Sequence, residues 1–238
     1  LWMNDHFVII VPARSGSTRV PNKNLQLIGG RSLIFNKIKT CLKANVGDVI
    51  VSTDSPKIKK MAEKFGAKVP FLRPKKYASS KASTISAVIH FLRFLKKNKK
   101  KIPKFIAICP ITNPFLEKKT IRDAFKRIIK NKVNSLMAVT KPTDHPFVFV
   151  KLKKKIIFNL YKVNKLKWTD KERTQDWPTA YIASPSIRIA KSEYFLKYIN
   201  NISPLLNKKT CDLKSTTYIK IKKIESFDIN NKSDLELA

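Results

Sequence analysis

Acidic side chains are scarce in this chain: 16 Asp and Glu stand against 50 Lys and Arg, a formal net charge of +34 over 238 residues. A balance of that sign invites a nucleic-acid partner. The excess, however, is mostly Lys, comes with many Asn and Ile, and is spread along the chain, with local clusters at 96–101 and 153–155. A dedicated nucleic-acid surface would interleave Arg with aromatics on one face. Nucleic acid is therefore not the expected partner, and the charge should instead draw small anions in a salt-dependent way. Cysteine is also rare. Cys41, Cys109 and Cys211 are odd in number and far apart, which gives neither a disulfide framework nor a zinc pattern. Of the histidines, His6 and His90 read as structural and His145 as a loop residue, and no pair has metal-ligand spacing. No apolar run approaches the roughly 20 residues of a membrane span, so no membrane partner is expected. The opening Leu1-Trp2-Met3-Asn4 is too short for a secretory signal. Met3 is the expected natural start, and the expected location is cytoplasmic.

What is present starts with Phe7-Val8-Ile9-Ile10-Val11, an apolar, β-branched run that reads as a buried strand. It stops at Pro12 and opens into Ala13-Arg14-Ser15-Gly16-Ser17-Thr18-Arg19-Val20-Pro21-Asn22-Lys23-Asn24. Small residues let the backbone approach a ligand, and Gly16 permits unusual dihedrals. Arg14, Arg19 and Lys23 can give charge-assisted hydrogen bonds to phosphate oxygens. The stretch reads as a phosphate site, although neither Gly-x4-Gly-Lys-Ser/Thr nor Gly-x-Gly-x-x-Gly is present.

Further along, apolar spacing predicts helices over 32–44, from Pro56 to about 65, over 84–97 and over 117–130. Strands are expected at 48–52, 104–109 and 135–140. Ser55 and Pro56 suit the start of the second helix, and Gly66 its stop. Strands and helices joined this tightly predict an α/β fold, a mainly parallel sheet covered on both faces. Ligands of such sheets bind at the carboxyl ends of the strands, where the 13–24 loop sits. From 141 the texture changes, and 145–149 and 156–158 read as short antiparallel strands. Near the end, alternation about Asp228 suits a strand that points Asp228 and Asn230 to one face. Asn230 or Asn231 then caps a last helix.

The 13–24 stretch resembles the signature loop of the acylneuraminate cytidylyltransferases, the CMP-sialic acid synthetase family, and the resemblance extends over nearly the full length. It implies a Rossmann-like three-layer α/β fold with a small antiparallel excursion. The parts would be a nucleotide-binding core at 5–140, a dimerisation and sugar-lid excursion at 141–180, and a return to the core with the metal motif at 181–238. It also implies an enzyme that joins CMP from CTP to an acidic nine-carbon sugar, with Mg2+ as cofactor and a homodimer as the assembly. Residue by residue, Arg14, Ser15, Gly16, Ser17, Arg19, Lys23 and Asn24 correspond to the nucleotide-binding loop, with Lys23 and Arg14 the catalytic candidates. Arg73, Ala82, Ser83 and Thr84 match the stretch that recognises the nucleoside. Thr112 and Asn113 fall in the turn beside the sugar, and Arg173 is the candidate partner of the sugar carboxylate. Arg188 stands where Tyr is common and is a further sugar-binding candidate. Asp228 and Asn230 match the Asp-x-Asp metal motif, with one carboxylate fewer. The chain also departs from the family pattern at Ser80, Cys109 and 182–186. No general base is evident. Two alternatives stay open: transfer to another acidic sugar of the Kdo kind, and a non-catalytic relative that binds nucleic acid or other anions.

Overall fold

The structure, a computed structural model, describes residues 6–17, 19–79, 83–153, 156–159, 173–200 and 215–238. Strand β1 (Phe7–Pro12) is fully buried from Val8 to Val11. Such a strand must have apolar neighbours on both faces, which explains its uninterrupted run of Val and Ile. A two-stranded ribbon, β2 (Leu27–Ile28) and β3 (Arg31–Ser32), leads into α1 (Leu33–Ala44), capped by the Ser32 side chain. Then come β4 (Asp48–Ser52) and α2 (Pro56–Lys64), the latter with Ser55 as cap and Pro56 in its first turn. Gly66 follows with a φ of 98, in the left-handed region that favours glycine. Helix α3 (Thr84–Lys97), β5 (Phe105–Ile108), α4 (Lys118–Lys130) and β6 (Ser135–Thr140) complete the alternation expected from the pattern.

The main sheet has six strands in the order β10-β6-β9-β5-β1-β4, with β9 at Ile182–Lys191 and β10 at Thr216–Lys220. Every neighbouring pair is parallel except the two made by β9, which runs against β5 and β6. Helices α1, α2 and α4 pack on one face, over Ile9, Val11, Val49 and Ala107. Helices α3 and α5 (Ser192–Leu196) cover the other, over Val8, Ile10, Ile106 and Ile108. The odd and even residues of β1 thus feed two separate cores, and the fold is the three-layer, Rossmann-like α/β arrangement the sequence implies.

Two expectations change. The excursion does contain an antiparallel pair, β7 (Val150–Lys153) with β8 (Ile156–Asn159), but its first strand begins at 150 and not within 145–149. Pro146 fixes φ and carries no N–H, and the His145 ring accepts from the Phe147 amide, so Pro146–Val148 forms a 3-10 turn instead. Nor is there a strand about Asp228. Ile224–Ser226 is a 3-10 turn, 227–230 is irregular, and α6 (Lys232–Glu236) follows. Asn231 caps α6 in a reciprocal box with Asp234. Among the described residues no helix is long and apolar enough to cross a membrane.

Candidate active site

β1 delivers its chain at the carboxyl end of the sheet, where Ala13 N–H still bonds Ser52 O at 2.9 Å. Beyond it the loop turns back on itself. Among the described residues there, the one left-handed non-glycine residue is Asn22, with φ 48, while Gly16 is exposed, has open space about its Cα and does not use a positive φ. The turn at Asn22 starts a short 3-10 helix (Lys23–Leu25) that buries both Lys23 and Asn24. The Asn24 amide donates to Arg14 O at 2.8 Å and pins the loop to its own start. Ser15 is held from outside: its N–H and hydroxyl donate to the two oxygens of Asp54, at 2.8 and 2.6 Å. Burial pushes the Asp54 carboxyl up, but those two bonds, with Arg73 nearby, hold it below its ordinary range. Asp54, to which the sequence assigns no role, is therefore the anchor of the loop after β1.

These elements surround a cavity of about 330 Å³ at the carboxyl ends of β1 and β5. Arg14, Ser17, Arg19, Lys23 and Asn24 line it from the loop, Arg73 from the segment after β4, and Ser83 and Thr84 from the start of α3. Thr112 lines it from the turn after β5, and Asp228 and Asn230 from the far end of the chain. Pro185 joins them because β9 is antiparallel, which brings its first half to the end of the sheet where its neighbours finish. Among the described residues the lining carries four cations and one carboxylate. Arg73 is 5% exposed, and its Nε and Nη2 have no hydrogen-bond partner among the described residues. Burial first, and then Arg14, draws its pKa down, while Asp54 opposes them. Ser83 caps α3 in position only: its hydroxyl makes no capping bond and is buried without a partner among the described residues. The positive end of that helix dipole and a free hydroxyl therefore both face the cavity.

Lys23 crosses the molecule in sequence terms, its ammonium donating to Ile229 O at 2.6 Å. Burial lowers its pKa, as does Arg19, while Asp228 and Asp234 pull it back up. Asp228 Oδ2 accepts from the Asn230 amide at 3.2 Å, and Asp228 Oδ1 is buried with no hydrogen-bond partner among the described residues. An orphaned carboxylate oxygen in a cationic cavity suits a hard divalent cation. No cluster of three or more His, Cys, Asp or Glu forms a cage among the described residues. Mg2+ needs none, since it commonly binds through one or two carboxylates plus substrate phosphates and water.

The remaining sequence candidates lie elsewhere. Ser15 and Gly16 are exposed and outside the lining. Asn113 is fully buried beneath the cavity rather than in its wall, its amide donating to Phe227 O at 2.9 Å. Arg188 sits half-buried on β9 opposite Ile108 and Met137. Arg173 is exposed, next to a separate hollow of about 480 Å³ between 141–148 and 174–180. There His145 Nε2 bonds Pro178 O at 2.8 Å and the ring packs at a tilt against Trp177, which ties the two limbs of the excursion together. Ala82, Ser80 and Cys211 lie outside the described residues.

Known proteins share this arrangement of chain. A pseudaminic acid cytidylyltransferase of Campylobacter jejuni is 27% identical over 94% of this chain and 97% of its own. A CMP-N,N'-diacetyllegionaminic acid synthase of Legionella pneumophila is 35% identical over 116 residues, 48% of this chain and 50% of its own. Among solved structures, a CMP:2-keto-3-deoxy-manno-octonic acid synthetase complexed with CTP superposes with a TM-score of 0.67 at 14% identity, over 98% of this chain and 96% of that one. That likeness is one of fold. Residues 8–227 match the cytidylyltransferase family, a span that takes in both the β1 loop and the turn leading to Asp228, and the chain belongs to that family.

Proposed function

We propose that this protein is a Mg2+-dependent cytidylyltransferase that transfers CMP from CTP to an acidic, sialic-acid-like nine-carbon sugar and releases pyrophosphate. One observation carries the reading: Arg14, Arg19 and Lys23, from the loop after the first strand, meet Asp228, from the end of the chain, in one cavity. The relatives add support, since they are named for pseudaminic acid and N,N'-diacetyllegionaminic acid, acids in both cases. In the reaction the anomeric hydroxyl attacks the α-phosphorus of CTP. A new oxygen–phosphorus bond forms, the hydroxyl proton passes to solvent, the bond to the β-phosphate bridging oxygen breaks, and pyrophosphate leaves with that electron pair. Such chemistry needs in-line positioning and charge stabilisation more than covalent help.

The chain's own residues divide the work. Arg14 and Arg19 hold phosphate oxygens, and Lys23 stabilises charge on the departing pyrophosphate. Arg73 and Ser83, with donors unpartnered among the described residues, and Thr84 beside them read the nucleoside. Asn24 keeps the loop closed. Thr112 faces the acceptor. Asp228, assisted by Asn230, would hold Mg2+, which supplies further neutralisation of the triphosphate when bound. Arg173 does not line the cavity of its own chain and is exposed. With Val148, Phe149, Tyr181 and Ile182 also exposed around the excursion, this supports a homodimer in which the excursion reaches a second copy. The expected location is cytoplasmic. CTP, Mg2+ and a panel of nonulosonic and Kdo-type acids, read by pyrophosphate release, test the proposal. Release with a nine-carbon acid supports it, and release with Kdo alone moves the substrate to the shorter sugar. Silence across the panel, with RNA or DNA binding that collapses as salt rises, replaces it with an anion-binding role suggested by the +34 charge.

A further inference from the structure

Lys37 occupies the apolar stripe of α1, between Leu33, Ile34, Ile38 and Cys41, and is 0% exposed. A buried ammonium costs several kcal/mol unless its surroundings compensate, yet Lys37 forms no ion pair among the described residues. Its ammonium donates to Asn113 O at 2.6 Å. Cys41, Cys109 and the buried Glu225 are the other groups that act on it electrostatically. Asn113 passes the contact on: its side-chain amide donates to Phe227 O. Next to it, Ile229 N–H bonds Thr112 O at 2.8 Å, and Ile229 O receives the Lys23 ammonium. Glu225 accepts from the amides of Glu117 and Lys222 and fixes the turn before Phe227. Residues 227–230 belong to no strand or helix. Their place is set by this lacing, and Asp228 hangs in the middle of it.

We infer that Lys37 is a positioning residue for the metal end of the site: acting through Asn113, its ammonium holds 227–230 so that Asp228 stays opposite the phosphate loop. The inference rests on the proposed reading of the cavity as a Mg2+ and CTP site, and its test separates the two. Lys37→Met keeps the unbranched stem, one atom shorter, and removes the charge. If Lys37 were only a structural residue, the buried apolar replacement should change stability and nothing else, because such replacements are often neutral or stabilising.

The expected result is different. Half-saturating Mg2+ in the pyrophosphate assay rises about tenfold or more, while the melting temperature does not fall and CTP affinity at saturating Mg2+ changes by less than about threefold. In the protein–CTP complex without sugar, Mn2+ binding followed by water-proton relaxation weakens in parallel. Asn113→Ala removes the same link from the other side and should have the same effect, and it decides the matter if Lys37→Met does not fold. In the double variant the loss should be no greater than the larger single loss. A wild-type metal titration in Lys37→Met overturns the inference and leaves the proposed function standing. So does a loss of CTP affinity as large as the loss of metal affinity, or additivity in the double variant. Wild-type protein that binds no Mn2+ with CTP overturns both.

Discussion

Lys23 and Asp228 are 205 positions apart along the chain, yet they face one cavity, bridged by Ile229. If Lys23 stabilises the leaving pyrophosphate, Lys23→Ala should cut turnover by about tenfold or more, the scale of losing one preorganised charge donor. Near-normal pyrophosphate release would remove Lys23 from that role. Burial and the neighbouring Arg19 place its pKa below the usual 10.5. Only the charged form can do the work, so activity should fall as pH rises through that lowered value, and the alkaline limb of the rate profile should be missing in Lys23→Ala. Asn230 makes the opposite case. It spends its amide on Asp228 Oδ2 and brings no charge. Asn230→Asp adds a second carboxylate and should lower half-saturating Mg2+ by about threefold or more, a shift readable in a metal titration. The cations were legible in the sequence because charged residues in a small-residue loop after a buried strand have few structural uses. Asp54 was not, because the sequence shows a strand end and a helix cap there and does not show Ser15 folding back onto it.

Among the elements, β9 was the hardest to anticipate. It is central, so its residues Ile187, Ile189 and Ala190 are buried. Ser184, Pro185, Ser186 and Arg188 interrupt any clean apolar pattern, and the ladder to β6 shifts register after Met137. The strand about Asp228 failed for a related reason. Alternation predicts a strand only where a neighbour can pair, and here the backbone turns instead toward Thr112 and Lys23. Helix α3, by contrast, begins and ends where its spacing says, with its stripe from Ile85 to Leu95 fully used. Its half-buried His90 packs on Phe71, with ring centroids 4.5 Å apart. Burial, with Arg73, Arg93 and Lys76, lowers its pKa from 6.5 to about 4. A histidine with a folded-state value below its unfolded one favours folding above pH 6.5 and loses that contribution as pH falls toward 4. Urea midpoints should therefore decline across that window in the wild type and more shallowly in His90→Phe. Equal slopes would show that His90 is not the group responsible.

For the whole molecule, +34 net charge and a cavity with four cations predict that the KM for CTP rises steeply with ionic strength while kcat changes little. A salt-independent KM would mean that the charge plays no part in capture. If the excursion serves a second copy, light scattering should report a dimer. Mixing an inactive Lys23→Ala protein with an inactive Arg173→Ala protein should then restore part of the activity, and two monomers that never complement would end that reading. Local chemistry alone determined the alternation of strands and helices, the cationic, small-residue character of the β1 loop and the family resemblance, because each depends on residues close together in sequence. Tertiary structure alone decided which strand enters the sheet backwards, which acid braces the loop, and that a lysine in the core of α1 is tied to the segment carrying Asp228. Those depend on hydrogen bonds between parts of the chain up to two hundred residues apart, for which neither periodicity nor propensity leaves a mark.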